Sequence, residues 1–291
     1  MLSVIIPANN EELYIARCLD ALIASDENMC SDVDILSDQP ERTVGLVEVI
    51  VVANACTDKT ANVAQRYTST AMVRGWNLVV LNIDKPGKLN ALNVGDQHAK
   101  GEIRIYLDAD VVVSPCLLNQ IGAALDRTDP AYASGRLVIA KSRNWVTRAY
   151  ARLWSRLPFI AEGVPGCGIF AVNAAGRGRW LAFPDIISDD TFVRLHFAPN
   201  ERIGVSAPYQ WPMVEGFSNL VRVRKRQDLG VIQIAQRFPE LMPNEGKSRL
   251  GISALAQLAL KETLGFAVYA SVAIAVRLSR LGGDEGWTRG R

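Results

Sequence analysis

The first half of the chain alternates short apolar runs with segments of helical periodicity. Residues 2–6 form a β-branched run closed by Pro7. Over 11–23 the apolar residues Leu13, Ala16, Leu19 and Ile23 recur at helical spacing, with Asn9 and Asn10 ahead of them as candidate N-caps. Residues 26–42 are polar, acidic and aperiodic, and read as a long surface loop. A second apolar run follows at 46–53, a helix opened by Asp58 runs to Arg66, and 78–83 reads as a third strand. A helix over 89–99 leads to a fourth strand, 103–110. Strands this apolar, alternating with helices, predict an α/β fold: a mainly parallel sheet with helices on both faces. Ligands of such sheets bind beyond the carboxyl ends of the strands. Those ends carry Pro7-Ala8-Asn9, residues 54–58, Asp84-Lys85 and Asp108-Ala109-Asp110.

The second half is less regular. A helix with Pro115 in its first turn is expected over 115–125, strands over 131–140 and 168–172, and a helix over 142–157. Another helical pattern begins at Asp190, and residues 208–212 read as a Pro-rich segment. The run 250–276 is almost wholly apolar, broken by Lys261-Glu262 and flanked by Arg249, Arg277 and Arg280. Its uninterrupted part, 263–276, is too short to cross about 30 Å of hydrocarbon. Spanning with the charged pair at its centre costs several kcal/mol. The expectation is a helix hairpin, or a helix lying on a membrane surface, with a core or dimer-forming helix as the alternative. Arg148, Arg152 and Arg156 share one helical face. They suit anionic head groups or an acceptor phosphate, or simply a solvated face.

At 291 residues and 49% hydrophobic content the chain can bury a large core. Its 32 basic and 30 acidic residues nearly balance, which argues against a nucleic-acid binder. Five dispersed cysteines without a C-x-x-C spacing suggest a reduced, intracellular chain. His98 and His196 are too far apart in sequence to suggest a His-based zinc site. The N-terminus has neither a basic region nor a cleavage site, so no signal peptide is expected.

The most informative chemistry lies at the end of the fourth strand. Side chains alternate along a strand, so Asp108 and Asp110 share one side where the chain leaves the sheet. Oxygen-only ligands suit a hard cation such as Mn²⁺ or Mg²⁺, shared with substrate phosphates. Lys88 opens a helix, a poor place for a cation unless it and the helix N-terminus face phosphate. Asp58 reads equally well as a helix cap.

Together these segments resemble an inverting glycosyltransferase of family 2, with the GT-A fold, over roughly residues 1–230. The resemblance rests on S-V-I-I-P-A-N-N-E-E, V-V-A-N-A-C-T-D-K-T, D-K-P-G-K-L-N-A-L-N-V-G, L-D-A-D, the Gly166-Cys167-Gly168 turn and I-S-D-D at 187–190. It implies a uridine pocket shaped by Pro7, Asn9 and Glu11, with Asn54, Asp58 and Asp84 also near the nucleotide. Metal would be held by Asp110, helped by Asp108, and Lys88 would face the diphosphate. Gly166 and Gly168 would lie in the acceptor region. Asp190, with Asp189 as second choice, would be the catalytic base. Arg222, Arg224 and Arg226 would close over the diphosphate, or form a solvated basic strand edge. The family's second turn often carries an aspartate pair where this chain has Ala53-Asn54-Ala55. The base would then be read by backbone, Asn54 or Asp84. The Q-x-x-R-W signature of processive synthases is missing near Arg226, which favours transfer of one sugar.

The implied donor is a nucleotide-diphosphate sugar, a UDP-sugar for preference. The implied acceptor is a hydroxyl, of the kind that a lipid-linked acceptor offers in cell-envelope or exopolysaccharide assembly. The expected organisation is one GT-A domain, with a nucleotide-sugar-binding half at 1–114 and an acceptor-binding half at 115–249. An apolar helical segment at 250–291 would meet a membrane surface through 250–280. The expected location is cytoplasmic, peripheral on the inner face of the inner membrane. Rival readings are sugar transfer to a polyprenyl phosphate, which needs no base, and an inactive scaffold that binds membrane or a partner. The glycine-rich loops of nucleotidyltransferases and dinucleotide oxidoreductases are absent after the first strand.

Overall fold

The computed structural model describes residues 1–25, 46–246 and 251–281. The acidic segment read as a loop at 26–42 lies outside them. Strand β1 (Leu2–Ala8) leads to α1 (Ile15–Ile23), β2 (Val47–Asn54), the short helices α2 (Thr60–Gln65) and α3 (Thr68–Val73), and β3 (Asn77–Ile83). Then follow α4 (Lys88–His98), β4 (Ile103–Leu107), β5 (Val112–Val113), α5 (Leu117–Leu125), β6 (Tyr132–Ile139), α6 (Trp145–Trp154) and α7 (Pro158–Ala161). The chain continues through β7 (Ile169–Asn173), α8 (Ala174–Arg177), α9 (Asp189–Leu195), β8 (Arg202–Trp211), α10 (Phe217–Arg237), α11 (Ile252–Lys261) and α12 (Thr263–Leu281).

The eight strands form one sheet in the order β3-β2-β1-β4-β7-β6-β8-β5. β3, β2, β1 and β4 run parallel, and every residue of β1 and β2 is buried, as expected of strands covered on both faces. Beyond β4 the sheet becomes mixed. β4–β7, β6–β7 and β5–β8 pair antiparallel, and β6–β8 pair parallel. One apolar cluster joins Val4, Ile6, Ile15, Leu19, Val49, Ile121 and Tyr209, and a second joins Ile5, Ile50, Leu92, Tyr106, Phe170 and Phe192. Alternate residues of β1 thus serve the two faces. A third, smaller cluster unites α6, α10 and α12 through Tyr150, Leu220, Val268, Val272 and Val276.

Several sequence expectations are corrected. Residues 222–226 lie inside helix α10, not on a strand edge; Leu220 and Ile234 bury one side of that helix, a helical period that the arginines mask. The Pro-rich segment 208–212 is largely the end of β8, whose Gln210 pairs with Val112 of β5 across a short antiparallel contact. Neither Asn9 nor Asn10 caps α1, whose N-cap is Tyr14 with no side-chain hydrogen bond. Cys18, Cys56 and Cys167 are free, but Cys116 is disulfide-bonded, because dispersal along the chain does not report distance in space. The apolar C-terminal run breaks after Lys261, and α11 and α12 meet at 115°. Arg152 of α6 and Arg156, just beyond its end, grip Glu262 at that break, at 3.8 and 2.6 Å. Arg148 Nη1 donates to the carbonyls of Ser142 at 3.3 Å and Arg143 at 2.6 Å, so all three arginines on that face are used within the fold. Among the described residues no single helix is long and apolar enough to cross a membrane.

Candidate active site

A cavity of about 640 Å³ opens at the carboxyl ends of β1, β2 and β4. Its lining includes Pro7, Asn9, Glu11, Asn54, Lys88, Asp108, Asp110, Gly166, Gly168, Asp189, Asp190 and Arg226. The fold therefore brings together twelve residues singled out from the sequence. Asp58 and Asp84 are not among the lining residues.

The turns after β1 and β2 are stitched to one another by side-chain amides. Asn9 Nδ2 donates to the carbonyls of Asn54 and Ala55, the latter at 3.3 Å. Asn54 Nδ2 donates to the Ala8 carbonyl at 2.9 Å, and its Oδ1 accepts from Gly87 N at 3.1 Å. A single buried amide thus joins the ends of β1 and β2 to the turn before α4. Asp58 locks the same region. It accepts from the Thr60 hydroxyl, from Thr60 N at 2.9 Å and from Glu12 N at 3.1 Å; burial pushes its pKa up, but these bonds outweigh it and hold the carboxyl below the usual range. Asp84 is exposed, and Ala53 is buried inside β2. Asn54 is the only one of Ala53, Asn54 and Asp84 that faces the cavity.

Lys88 is the electrostatic hub. Its Nζ lies 2.8 Å from Asp108 Oδ1 and 2.9 Å from Asp189 Oδ2, joining the end of β4 to the start of α9. Burial alone would lower the ammonium pKa, but the two carboxylates outweigh it and the net shift is upward. The unfavourable placement of a lysine at a helix start is thereby offset by two anions. Asp190, next to Asp189, makes no ion pair among the described residues; its Oδ1 accepts from Thr191 N at 2.6 Å. Burial first, and the adjacent Asp189 second, push its pKa up to about 6, with Lys88 opposing them. A carboxylate so tuned is ionised at neutral pH yet basic enough to accept a proton.

Gly166 and Gly168 both hold positive φ, +72° and +78°. A Cβ on Gly166 would overlap Tyr132 Oη, and one on Gly168 would lie 2.5 Å from Trp211 Cδ1. The turn between them is held by Tyr209 Oη on the Cys167 carbonyl at 2.9 Å and by Asp108 N on the Gly168 carbonyl at 2.8 Å. The same turn thus fixes the first aspartate of the D-x-D. Sequence reasoning missed the opposite wall. Trp154 and Trp211 stack at 5.7 Å, and both line the cavity with Tyr150, Met213, Val214 and Leu220. The tryptophans at the ends of α6 and β8 were the available signal, but nothing in the sequence paired them. Of the basic run, Arg224 and Arg226 reach the cavity and Arg222 does not. Arg224 is tied to Asp228 at 3.0 Å and to Tyr269 Oη at 3.0 Å, whereas Arg226 is held by none of the described residues.

Asp108 and Asp110 provide carboxylate oxygens at the edge of this cavity. Among the described residues there is no group of three or more His, Cys, Asp or Glu side chains able to hold an ion. The donor set fits a hard divalent cation that completes its shell with phosphate oxygens and water.

Among proteins of curated function none matches the sequence. The fold is shared with solved structures at low identity. The mannosyltransferase PcManGT from Pyrobaculum calidifontis, in complex with GDP-Man and Mn²⁺, matches with a TM-score of 0.56 and 18% identity, over 97% of this chain and 76% of that one. S. aureus TarS 1–349, in complex with UDP, matches with a TM-score of 0.53 and 16% identity, over 99% and 94%. A model of glycosyl transferase family 2 matches residues 3–181, well over half of the chain. With the D-x-D, the lysine-bearing turn and the paired aspartates gathered in one cavity, this chain belongs to glycosyl transferase family 2.

Proposed function

We propose that the protein transfers one sugar, with inversion, from a nucleotide-diphosphate donor to a hydroxyl acceptor, with Asp190 as general base. The observation that carries this reading is Asp190 itself. It is a carboxylate free of ion pairing among the described residues, with a pKa near 6, in the same cavity as Asp108, Asp110 and Lys88. As the acceptor oxygen attacks the anomeric carbon, Asp190 takes its proton on the face opposite the leaving nucleotide. Lys88 and Arg226 neutralise charge that builds on the diphosphate. A Mn²⁺ or Mg²⁺ on Asp110 and Asp108, when bound, supplies further charge neutralisation. Pro7, Asn9, Glu11 and Asn54 frame the nucleoside, for which UDP is the proposed carrier. The structural relatives solved with UDP, and with GDP-Man and Mn²⁺, support a nucleotide donor and a divalent metal.

In this reading residues 1–114 bind the donor and 115–249 the acceptor. The Trp154–Trp211 wall suits a sugar ring or an apolar acceptor moiety. We take the acceptor to be lipid-linked, in envelope or exopolysaccharide assembly, and the protein to sit peripherally on the cytoplasmic face of the inner membrane. Support comes from α11, which buries none of its residues and exposes Ile252 and Leu260 almost fully.

The test is thermal unfolding with UDP, GDP, CDP and dTDP, each with and without Mn²⁺, followed by ¹H NMR of the sugar released from the preferred donor. The reading expects a metal-dependent rise with UDP and initial release of the inverted anomer. Retention of configuration, or no response to any nucleotide, would overturn it.

A further inference from the structure

A second cavity of about 180 Å³ shares no lining residue with the first. Its walls include Phe159, Glu162, Gly163, Arg194, Arg202 and Glu245. It has room for several waters, each about 30 Å³ in the liquid, or for one small hydrated ion. Arg194, on α9, is 2% exposed, a degree of burial that an arginine adopts only when its charge is answered. Nη2 meets Glu245 Oε2 at 2.8 Å and Nη1 meets the Glu245 carbonyl at 3.0 Å, while the Phe159 ring lies 5.0 Å from the guanidinium carbon. Its Nε–H is buried and makes no hydrogen bond.

Arg202 faces the same cavity half-buried. It donates only to backbone carbonyls: to Phe197 at 3.1 and 2.7 Å, to Glu245 at 3.4 Å, and to Asn244. No carboxylate lies within ion-pair distance of it among the described residues. Burial first, and Arg194 second, bring its pKa down to about 10. The Glu245 carboxylate is engaged by Arg194 and Glu162 lies exposed on the cavity wall, so the Arg202 guanidinium is left without a directly paired carboxylate among the described residues, beside an orphaned donor. Water can satisfy the Nε–H but not the second charge. A tetrahedral oxyanion answers both, because guanidinium forks match phosphate oxygens.

We propose that this cavity binds a small oxyanion of the phosphate class between the Arg202 guanidinium and the Arg194 Nε–H. The ligand is either inorganic phosphate or the terminal phosphate of a small monoester. It ties α9, one turn beyond Asp190, to the start of β8. The site is independent of the donor reading.

The test is thermal unfolding of the full chain in chloride buffer at constant ionic strength, titrated with inorganic phosphate and, separately, with glycerol 1-phosphate. A saturable rise in Tm is expected, retained in Lys88→Met and lost in Arg202→Gln. Glu162 is an exposed carboxylate on the cavity wall. Its replacement in Glu162→Gln should tighten binding about two- to fivefold. That variant decides the matter alone if Arg202→Gln does not fold. Whichever ligand binds tighter names the source of the phosphate. No rise, or a rise unchanged in both Arg202→Gln and Glu162→Gln, would overturn the proposal. So would a rise lost in Lys88→Met but kept in Arg202→Gln, which would put the anion in the large cavity.

Discussion

Asp190 owes its pKa of about 6 to a local contest, and the contest can be tipped in either direction. Burial and Asp189 push the pKa up, and Lys88 pulls it down. Lys88→Met removes a positive charge and leaves Asp108 and Asp189 unneutralised. Asp189→Asn removes the neighbouring negative charge and leaves Lys88 paired to Asp108. A unit charge at ~6 Å, in an effective dielectric of about 20, is worth roughly 2.8 kcal/mol, or two pH units. The Lys88 side chain is 38% exposed, so solvent screening reduces this to about one unit. A general base must be ionised, so activity falls as pH drops through its pKa. The acid limb of kcat/KM should therefore lie near pH 6 in the native protein. It should move up by about one unit in Lys88→Met and down by a similar amount in Asp189→Asn.

The assay is nucleotide release between pH 4.5 and 8.5 at donor concentrations well below KM, since kcat/KM reports the ionisation of the free enzyme. Both variants will lower the plateau, because Lys88 also neutralises the leaving group. The position of the limb carries the information, not its height. Limbs that stay at pH 6 in both variants, or that shift in the same direction, would refute the assignment of the titrating base to Asp190.

Asp190→Asn should lower kcat by about 10²–10⁴-fold while leaving nucleotide-dependent stabilisation intact, a combination read by turnover and thermal shift on one preparation. Asp110→Asn should abolish the metal-dependent part of that stabilisation, about 2.7 kcal/mol at a nucleotide concentration a hundred times Kd. Gly166→Ala combines a positive φ with overlap on Tyr132 Oη, and should cost about 2 kcal/mol in denaturant unfolding; an unchanged midpoint would contradict the packing described. Leu260→Glu on α11 should leave Tm unchanged within about 0.5 kcal/mol and reduce sedimentation with anionic vesicles; undiminished sedimentation would remove α11 from the membrane contact.

The first half of the chain was legible because its strands are local and apolar. Residues 2–6, 46–53 and 103–110 announce themselves as parallel strands whose ends must converge, although β4 itself stops at Leu107. The second half was not. The antiparallel return of β7 beside β4 depends on contacts between residues some 60 or more apart in sequence, such as Ile105 with Ala171, which no local period encodes. Helix α10 was obscured because Arg222, Arg224, Lys225 and Arg226 mask its apolar stripe, of which only Leu220, Gly230 and Ile234 are buried. Asp58 could not be separated from a ligand by sequence, since a turn-locking carboxylate and a nucleotide contact require the same residue. The Lys88 bridge was half legible. Its position at a helix start signalled an anion, but two of those anions proved to be the protein's own.

That bridge bears on the metal. The large cavity is lined by five carboxylates, Glu11, Asp108, Asp110, Asp189 and Asp190, against three cations, Lys88, Arg224 and Arg226. A nucleotide diphosphate brings two to three further negative charges into a site already in anionic excess. Arg224 is committed to Asp228 and Tyr269, and Lys88 is shared with two aspartates, so the charge that these two cations can lend a donor is reduced. A divalent cation arriving with the diphosphate offsets the excess and relieves the repulsion around Asp108 and Asp110. The repulsion it leaves, between Asp189 and Asp190, adds to burial in keeping Asp190 basic. The arrangement therefore argues for donor and metal binding as one event, with Lys88 held between Asp108 and Asp189.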